Sequence, residues 1–249
     1  MDKINLFNIE ISSVTLRELL SQLKKGVLIT PNVDHLVKLQ KDKDFLACYQ
    51  AAEWVVCDSK IVNLASKFLG NEFKEVIPGS SFLPAFYNYH KDNKNIRIFL
   101  LGAAEGVAKI AMENINKKVG WDIVIGAHSP SYGFEKNEKE CAQIVDIVNK
   151  SGANVLVVGV GAPKQEKWIM KYKSQLPNID LFMALGATID FEAGNIKRAP
   201  KIMQKLHLEW LYRLFKEPKR LWRRYLIDDI PFFFLILKQK LNLYKNPFQ

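Results

Sequence analysis

Val155-Leu156-Val157-Val158-Gly159-Val160-Gly161-Ala162-Pro163-Lys164-Gln165-Glu166 decides the fold. An unbroken run of Val and Leu, closed by glycine, reads as a strand buried on both faces. A glycine-rich turn follows. Pro163 then falls near the first position of a helix expected to reach residue 175, where its fixed φ and missing N–H do no harm. The unit is strand, turn, helix.

The same unit recurs on both sides. Strands are predicted over residues 4–11, 27–29, 54–56, 96–101, 123–125 and 181–185. Helices are predicted over 16–25, 34–52 (with Asp34 able to cap), 60–69, 79–90, 105–119 and 138–150. This alternation predicts an α/β fold, a Rossmann-like, mostly parallel sheet with helices on both faces. Ligands of such sheets bind beyond the carboxyl ends of the strands. Thr30, Asn32, Asp58, Gly102, Ser129, the turn 159–166 and the loop 186–190 all fall at those ends.

Beyond residue 196 the chain changes character. Residues 197–249 hold thirteen Lys and Arg against four Asp and Glu, while residues 1–196 hold twenty-three against twenty-two. The formal charge of +10 is therefore a property of the tail. The tail also carries Trp210, Tyr212, Phe215, Trp222, Tyr225, Phe232, Phe233 and Phe234. Met203, Leu206, Trp210, Leu211 and Leu214 follow helical spacing, Glu217-Pro218 breaks that helix, and Pro231 starts another. The expected organisation is an α/β core over 1–196 and a basic, aromatic helical appendage over 197–249.

Clustered cations attract polyanions, and neighbouring aromatics favour the bilayer interface. A solvated charged face is the commonplace alternative for Arg213, Arg220, Arg223 and Arg224, but such a face does not call for so many large aromatics. A nucleic-acid arm would also be basic and aromatic. The near-neutral body and the apolar run 230–237 weigh against it. That run is far shorter than the roughly 20 residues a spanning helix needs, and the first residues lack a leader pattern. Cys48, Cys57 and Cys141, odd in number and without CxxC spacing, argue against a disulfide framework or zinc cage and fit a reducing cytoplasm. The four histidines lack metal-ligand spacing.

Each motif has a plain reading beside the chemical one. Asp58 is either a helix cap or a carboxylate poised as general base at the sheet's mouth. Thr30-Pro31-Asn32 is either a turn with an Asn-capped helix or part of a pocket. The turn 159–166 matches neither a Walker loop nor GxGxxG, though free N–H groups at a helix start favour anions. The loop 186–194 places two glycines around Asp190 and Glu192.

Together these motifs resemble the WecG/TagA/CpsF family of bacterial glycosyltransferases, glycosyltransferase family 26. The likeness rests on Thr30-Pro31-Asn32, Cys57-Asp58-Ser59, Gly159-x-Gly161-x-Pro163-Lys164-Gln165-Glu166 and Gly186-Ala187-Thr188-x-Asp190-Phe191-x-Ala193-Gly194. It continues through Arg198-Ala199-Pro200, Leu208-Glu209-Trp210-Leu211-Tyr212-Arg213-Leu214 and Glu217-Pro218-x-Arg220-Leu221-x-Arg223-Arg224-Tyr225-Leu226.

The resemblance implies a GT-E-type α/β fold with a membrane-docking appendage over 199–244. It implies transfer from a UDP-sugar to an undecaprenyl-diphosphate-linked GlcNAc-type acceptor, with inversion and no metal or other cofactor, at the inner face of the bacterial cell membrane. N-acetylmannosamine is the expected sugar; glucose or N-acetylmannosaminuronate would serve capsule or exopolysaccharide. Asp58 is implied as the base, with Thr30 and Asn32 beside it. Gly102, Gly161, Pro163, Lys164, Gln165, Glu166, Gly186 and Asp190 are implied as pocket wall. Arg213, Arg220 and Arg223 would close over the diphosphates. The exposed sheet helices leave room for a homodimer. Two departures stand out: Asp58-Ser59 where the family usually has Asp-Gly, and Val76 where it often has an arginine ahead of Val-x-Gly. If that arginine steadies the leaving phosphate, another cation, a tail arginine or Lys164, must do so here, or the donor sits differently.

Overall fold

A computed structural model describes residues 2–196, 199–200, 203 and 209–249. Six parallel strands form the central sheet in the order β4-β3-β8-β7-β5-β6. They are β3 (Gly26–Ile29), β4 (Trp54–Val55), β5 (Ile98–Gly102), β6 (Val124–His128), β7 (Val155–Gly159) and β8 (Leu181–Ala184). The turn of the decisive stretch lies where expected, at the carboxyl end of a central strand.

Alternation along the strands splits the core into two layers. Val27, Ile29, Phe99, Leu101, Leu156, Val158, Phe182 and Ala184 face one layer. It includes residues of α2 (Val33–Lys38), α3 (Lys43–Gln50), α4 (Lys60–Phe68), α7 (Glu138–Ser151) and α8 (Lys164–Tyr172). Leu28, Ile98, Leu100, Val155, Val157, Leu181 and Met183 face the other. There lie α1 (Leu16–Gln22), α5 (Gly79–Tyr89), α6 (Val107–Val119) and α9 (Thr188–Ala193). Adjacent strands β3 and β8 thus send their following helices to opposite faces, the arrangement that opens a crevice at the strand ends.

Two expectations need correction. The run 4–11 is not one strand but an antiparallel hairpin, β1 (Lys3–Leu6) and β2 (Ile9–Ser12). Its alternation continues across a tight turn in which Phe7 takes φ 56°, so periodicity alone could not show the fold-back. The helix over 34–52 is two helices, because Asn32 caps α2 and Asp42 caps α3, each accepting a backbone N–H three residues on.

The C-terminal helices are α10 (Glu209–Lys216), α11 (Pro218–Arg223) and α12 (Pro231–Lys240), with a π-helical turn over Arg224–Asp228. Pro218 and Pro231 each stand at the start of a helix, as expected. The expected boundary at 196–197 and much of the stripe from Met203 to Leu214 fall outside the described residues. Phe232 and Ile236 of α12 are buried in the same layer as α2. The Phe7 N–H donates to Gln239 Oε1 at 3.0 Å, and the Phe7 ring meets Phe232 edge-on at 5.9 Å. The last helix is therefore part of the core, not a detachable arm. Among the described residues, no helix is long and apolar enough to cross a membrane.

Candidate functional site

The site grows from the ends of β3 and β4. Thr30 follows β3 and is buried. The Asp58 N–H donates to the Pro31 carbonyl at 3.1 Å, joining the two loops. Asp58 does not cap α4; Ser59 does, accepting from the Val62 N–H at 3.4 Å. The Asp58 carboxylate instead accepts the Gly79 N–H at 2.8 Å, which orients it toward the start of α5. A methyl group at Gly79 would sit 3.3 Å from both Thr30 Oγ1 and Leu185 Cδ2. Glycine thus lets α5 start between the β3 and β8 loops. Thr30 and Asp58 thus both border the start of α5, and Asn32 follows one residue beyond the Pro31 carbonyl that Asp58 meets.

A second group closes the crevice from β7 and β8. Gln165 is buried, and its Oε1 accepts from the Gly161 N–H at 3.2 Å and the Gly186 N–H at 3.1 Å. Its Nε2 donates to Glu166 Oε1 at 2.8 Å. Gln165 is therefore a clamp between two loops. Glu166 is fully buried, and burial pushes its carboxyl up to about 7 despite the Gln165 hydrogen bond. The Ala162–Pro163 peptide is cis. Gly102 belongs to the scaffold: a Cβ there would lie 2.5 Å from the Gly159 carbonyl oxygen, so only glycine permits the β5 and β7 loops to nest. Asp190 sits half-buried on α9.

The cations are distributed differently from the expectation. Lys164 turns away to Glu135 at 3.0 Å and lies over the Tyr132 ring. The Arg223 side chain is 73% exposed, 3.9 Å from Asp228. The side chains of Arg213 and Arg220 lie outside the described residues. Among the described residues, Arg224 reaches the rim. Its Nη2 donates to Asn32 Oδ1 at 3.2 Å and lies 3.6 Å from Asp34 Oδ2. Val76, at the family arginine position, packs against the apolar core.

Around that contact lie buried polar groups that the sequence reading passed over. Asp34 pairs with Lys38 at 2.8 Å. His35 Nδ1 lies 2.7 Å from the Tyr49 hydroxyl, and burial pushes its imidazole down to about 3, so it is neutral at pH 7. Asp229 is buried, and its carboxyl is raised to about 6 by burial. The only sequence signal for this cluster was the Arg223-Arg224 pair, which does not say which member turns inward. Chemically, the arrangement sets a carboxylate, a hydroxyl and an amide on one side of the crevice, with a guanidinium nearby. That suits proton removal from a hydroxyl beside a site for negative charge. No group of three or more His, Cys, Asp or Glu is placed to hold a metal ion among the described residues.

Residues 4–246 match the model of the glycosyl transferase WecG/TagA/CpsF family. A relative from Bacillus spizizenii, an N-acetylglucosaminyldiphosphoundecaprenol N-acetyl-beta-D-mannosaminyltransferase, is 30% identical over 207 residues, covering 83% of this chain and 77% of that protein.

Proposed function

The chain belongs to the WecG/TagA/CpsF family and is a glycosyl transferase; from that premise we propose that it moves N-acetylmannosamine from a UDP-sugar to GlcNAc held on undecaprenyl diphosphate, for a cell-surface polymer of the teichoic acid kind. The relative's named activity supports this choice of sugar and acceptor. The observation that carries the mechanism is Asp58, oriented by the Gly79 N–H and set beside Thr30 and Asn32.

Asp58 takes the proton of the acceptor hydroxyl. The oxygen attacks the anomeric carbon from the face opposite UDP, the new C–O bond forms, and the sugar–phosphate bond breaks with its electron pair leaving on UDP. A single displacement inverts the centre and needs one base. The charge on the departing diphosphate is met by tail arginines, Arg224 at the rim among them, so the reading assigns no metal.

The acceptor's diphosphate lies at a bilayer surface. Ten large apolar side chains between Phe215 and Leu243 are at least 44% exposed, among them Phe233, Phe234 and Leu237. A peripheral mode follows, aromatics in the acyl boundary and Lys and Arg at the headgroups of the inner leaflet.

Asp58→Asn tests the chemistry. The variant should fold and bind UDP-sugar normally while kcat falls by about 10²–10⁴-fold, the usual worth of a general base. Single-turnover transfer to a GlcNAc-diphosphate lipid, read by mass spectrometry, measures it. Near-normal turnover would remove Asp58 from the mechanism.

A further inference from the structure

Between α2 and α12 runs an open groove of about 240 Å³. Val37 and Gln40 line one wall, and Pro231, Phe234 and Leu235 the other. Amines stand at its border, on Lys41 and Lys238. The spacing is fixed from below. Phe232 and Ile236 seat α12 in the core, and the Tyr244 hydroxyl donates to Gln40 Oε1 at 2.7 Å.

Helix α2 links the groove to the site. Helix α2 starts at the Asn32 cap, where Arg224 makes its contact. Val37 lies five residues further on, about 8 Å along the helix axis. A diphosphate held near Asn32 would therefore present whatever hydrocarbon it carries to the groove mouth. Exposed Phe233 and Leu237 continue the apolar surface outward. The volume suits a short length of a single chain.

We propose that this groove receives the first isoprene units of a polyprenyl diphosphate acceptor, so that the enzyme reads the lipid carrier as well as its sugar. The proposal rests on the acceptor class assigned above. It makes α2 the ruler between the reacting hydroxyl and the lipid.

The test titrates the full chain with geranyl, farnesyl and geranylgeranyl diphosphate in calorimetry. Each buried methylene is worth about fourfold in affinity, so each unit that enters should tighten Kd by about tenfold or more until the groove is full. Leu235→Glu should flatten this gradient. Phe234→Ala should weaken it and serves if the charged variant fails to fold. Leu237→Glu, outside the groove, should leave it intact. A Kd independent of chain length in the unaltered protein would overturn the proposal. So would a gradient lost equally in Leu237→Glu, or farnesyl diphosphate displaced with equal potency by a short-chain phosphatidylglycerol. Transfer to a GlcNAc-diphosphate with a short alkyl chain is measured separately. Graded binding without transfer would sink the assigned reaction and leave the groove standing; transfer with flat binding would do the reverse.

Discussion

Glu166 and His35 show opposite electrostatic responses to burial in one layer. Burial raises Glu166 from 4.5 to about 7 and lowers His35 from 6.5 to about 3. A raised carboxyl binds more protons folded than unfolded between those values, so its cost to stability grows as pH rises from 4.5 to 7. A lowered imidazole binds fewer, so stability falls as pH drops from 6.5 toward 3. The two trends oppose each other between pH 4.5 and 6.5. Glu166→Gln should therefore be more stable than the unaltered protein at pH 8, by on the order of 3 kcal/mol at most. The gap should close by pH 4.5 and expose the acid limb of His35. Urea unfolding across pH measures both effects; a gap that does not vary with pH would refute them. The place of Gln165 and Glu166 beyond a strand end was legible, because a glycine turn after a strand marks it. Their linkage was not, since the amide bridging Gly161 and Gly186 joins loops 25 residues apart in chain order. Arg224 was hidden for a simpler reason. Adjacent arginines look alike until a helix, here a π-helical turn, decides which one points inward.

At the scale of elements, the strands and helices of the body were readable from apolar runs, caps and prolines. What escaped were two interruptions and one packing relation. The turn at Phe7 and the caps at Asn32 and Asp42 break patterns that the hydrophobic period carries straight through. The seat of α12 was invisible because Phe232, Phe233 and Phe234 are identical letters. Only Phe232 is buried, at 0% exposure, against 56% and 62% for its neighbours. Phe232→Ala should cost about 3–5 kcal/mol, the usual price of emptying a buried aromatic site. Phe233→Ala should change stability little. Equal unfolding midpoints for the two variants would show that α12 does not belong to the core.

For the whole molecule, the charge asymmetry of the sequence and the apolar surface of the structure point the same way. The full chain should sediment with vesicles rich in anionic lipid. Binding should weaken as salt shortens the Debye length from about 10 Å at 0.1 M to about 3 Å at 1 M. A Phe233→Asp, Phe234→Asp double variant should bind at least about tenfold more weakly at fixed salt. Tighter binding to an oligonucleotide than to these vesicles would favour a nucleic-acid arm instead. The direction of this asymmetry was plain from composition, but which faces of the tail remain outward needed coordinates.

The hairpin turn at Phe7 is finished by Gln239, 232 positions later. A ribosome exposes the first half of that joint long before it makes the second. The nascent body must therefore wait with Phe7 uncovered until Gln239 has been made and its helix has docked. A premature stop ahead of Gln239 would leave the hairpin turn and the last helix unfinished together.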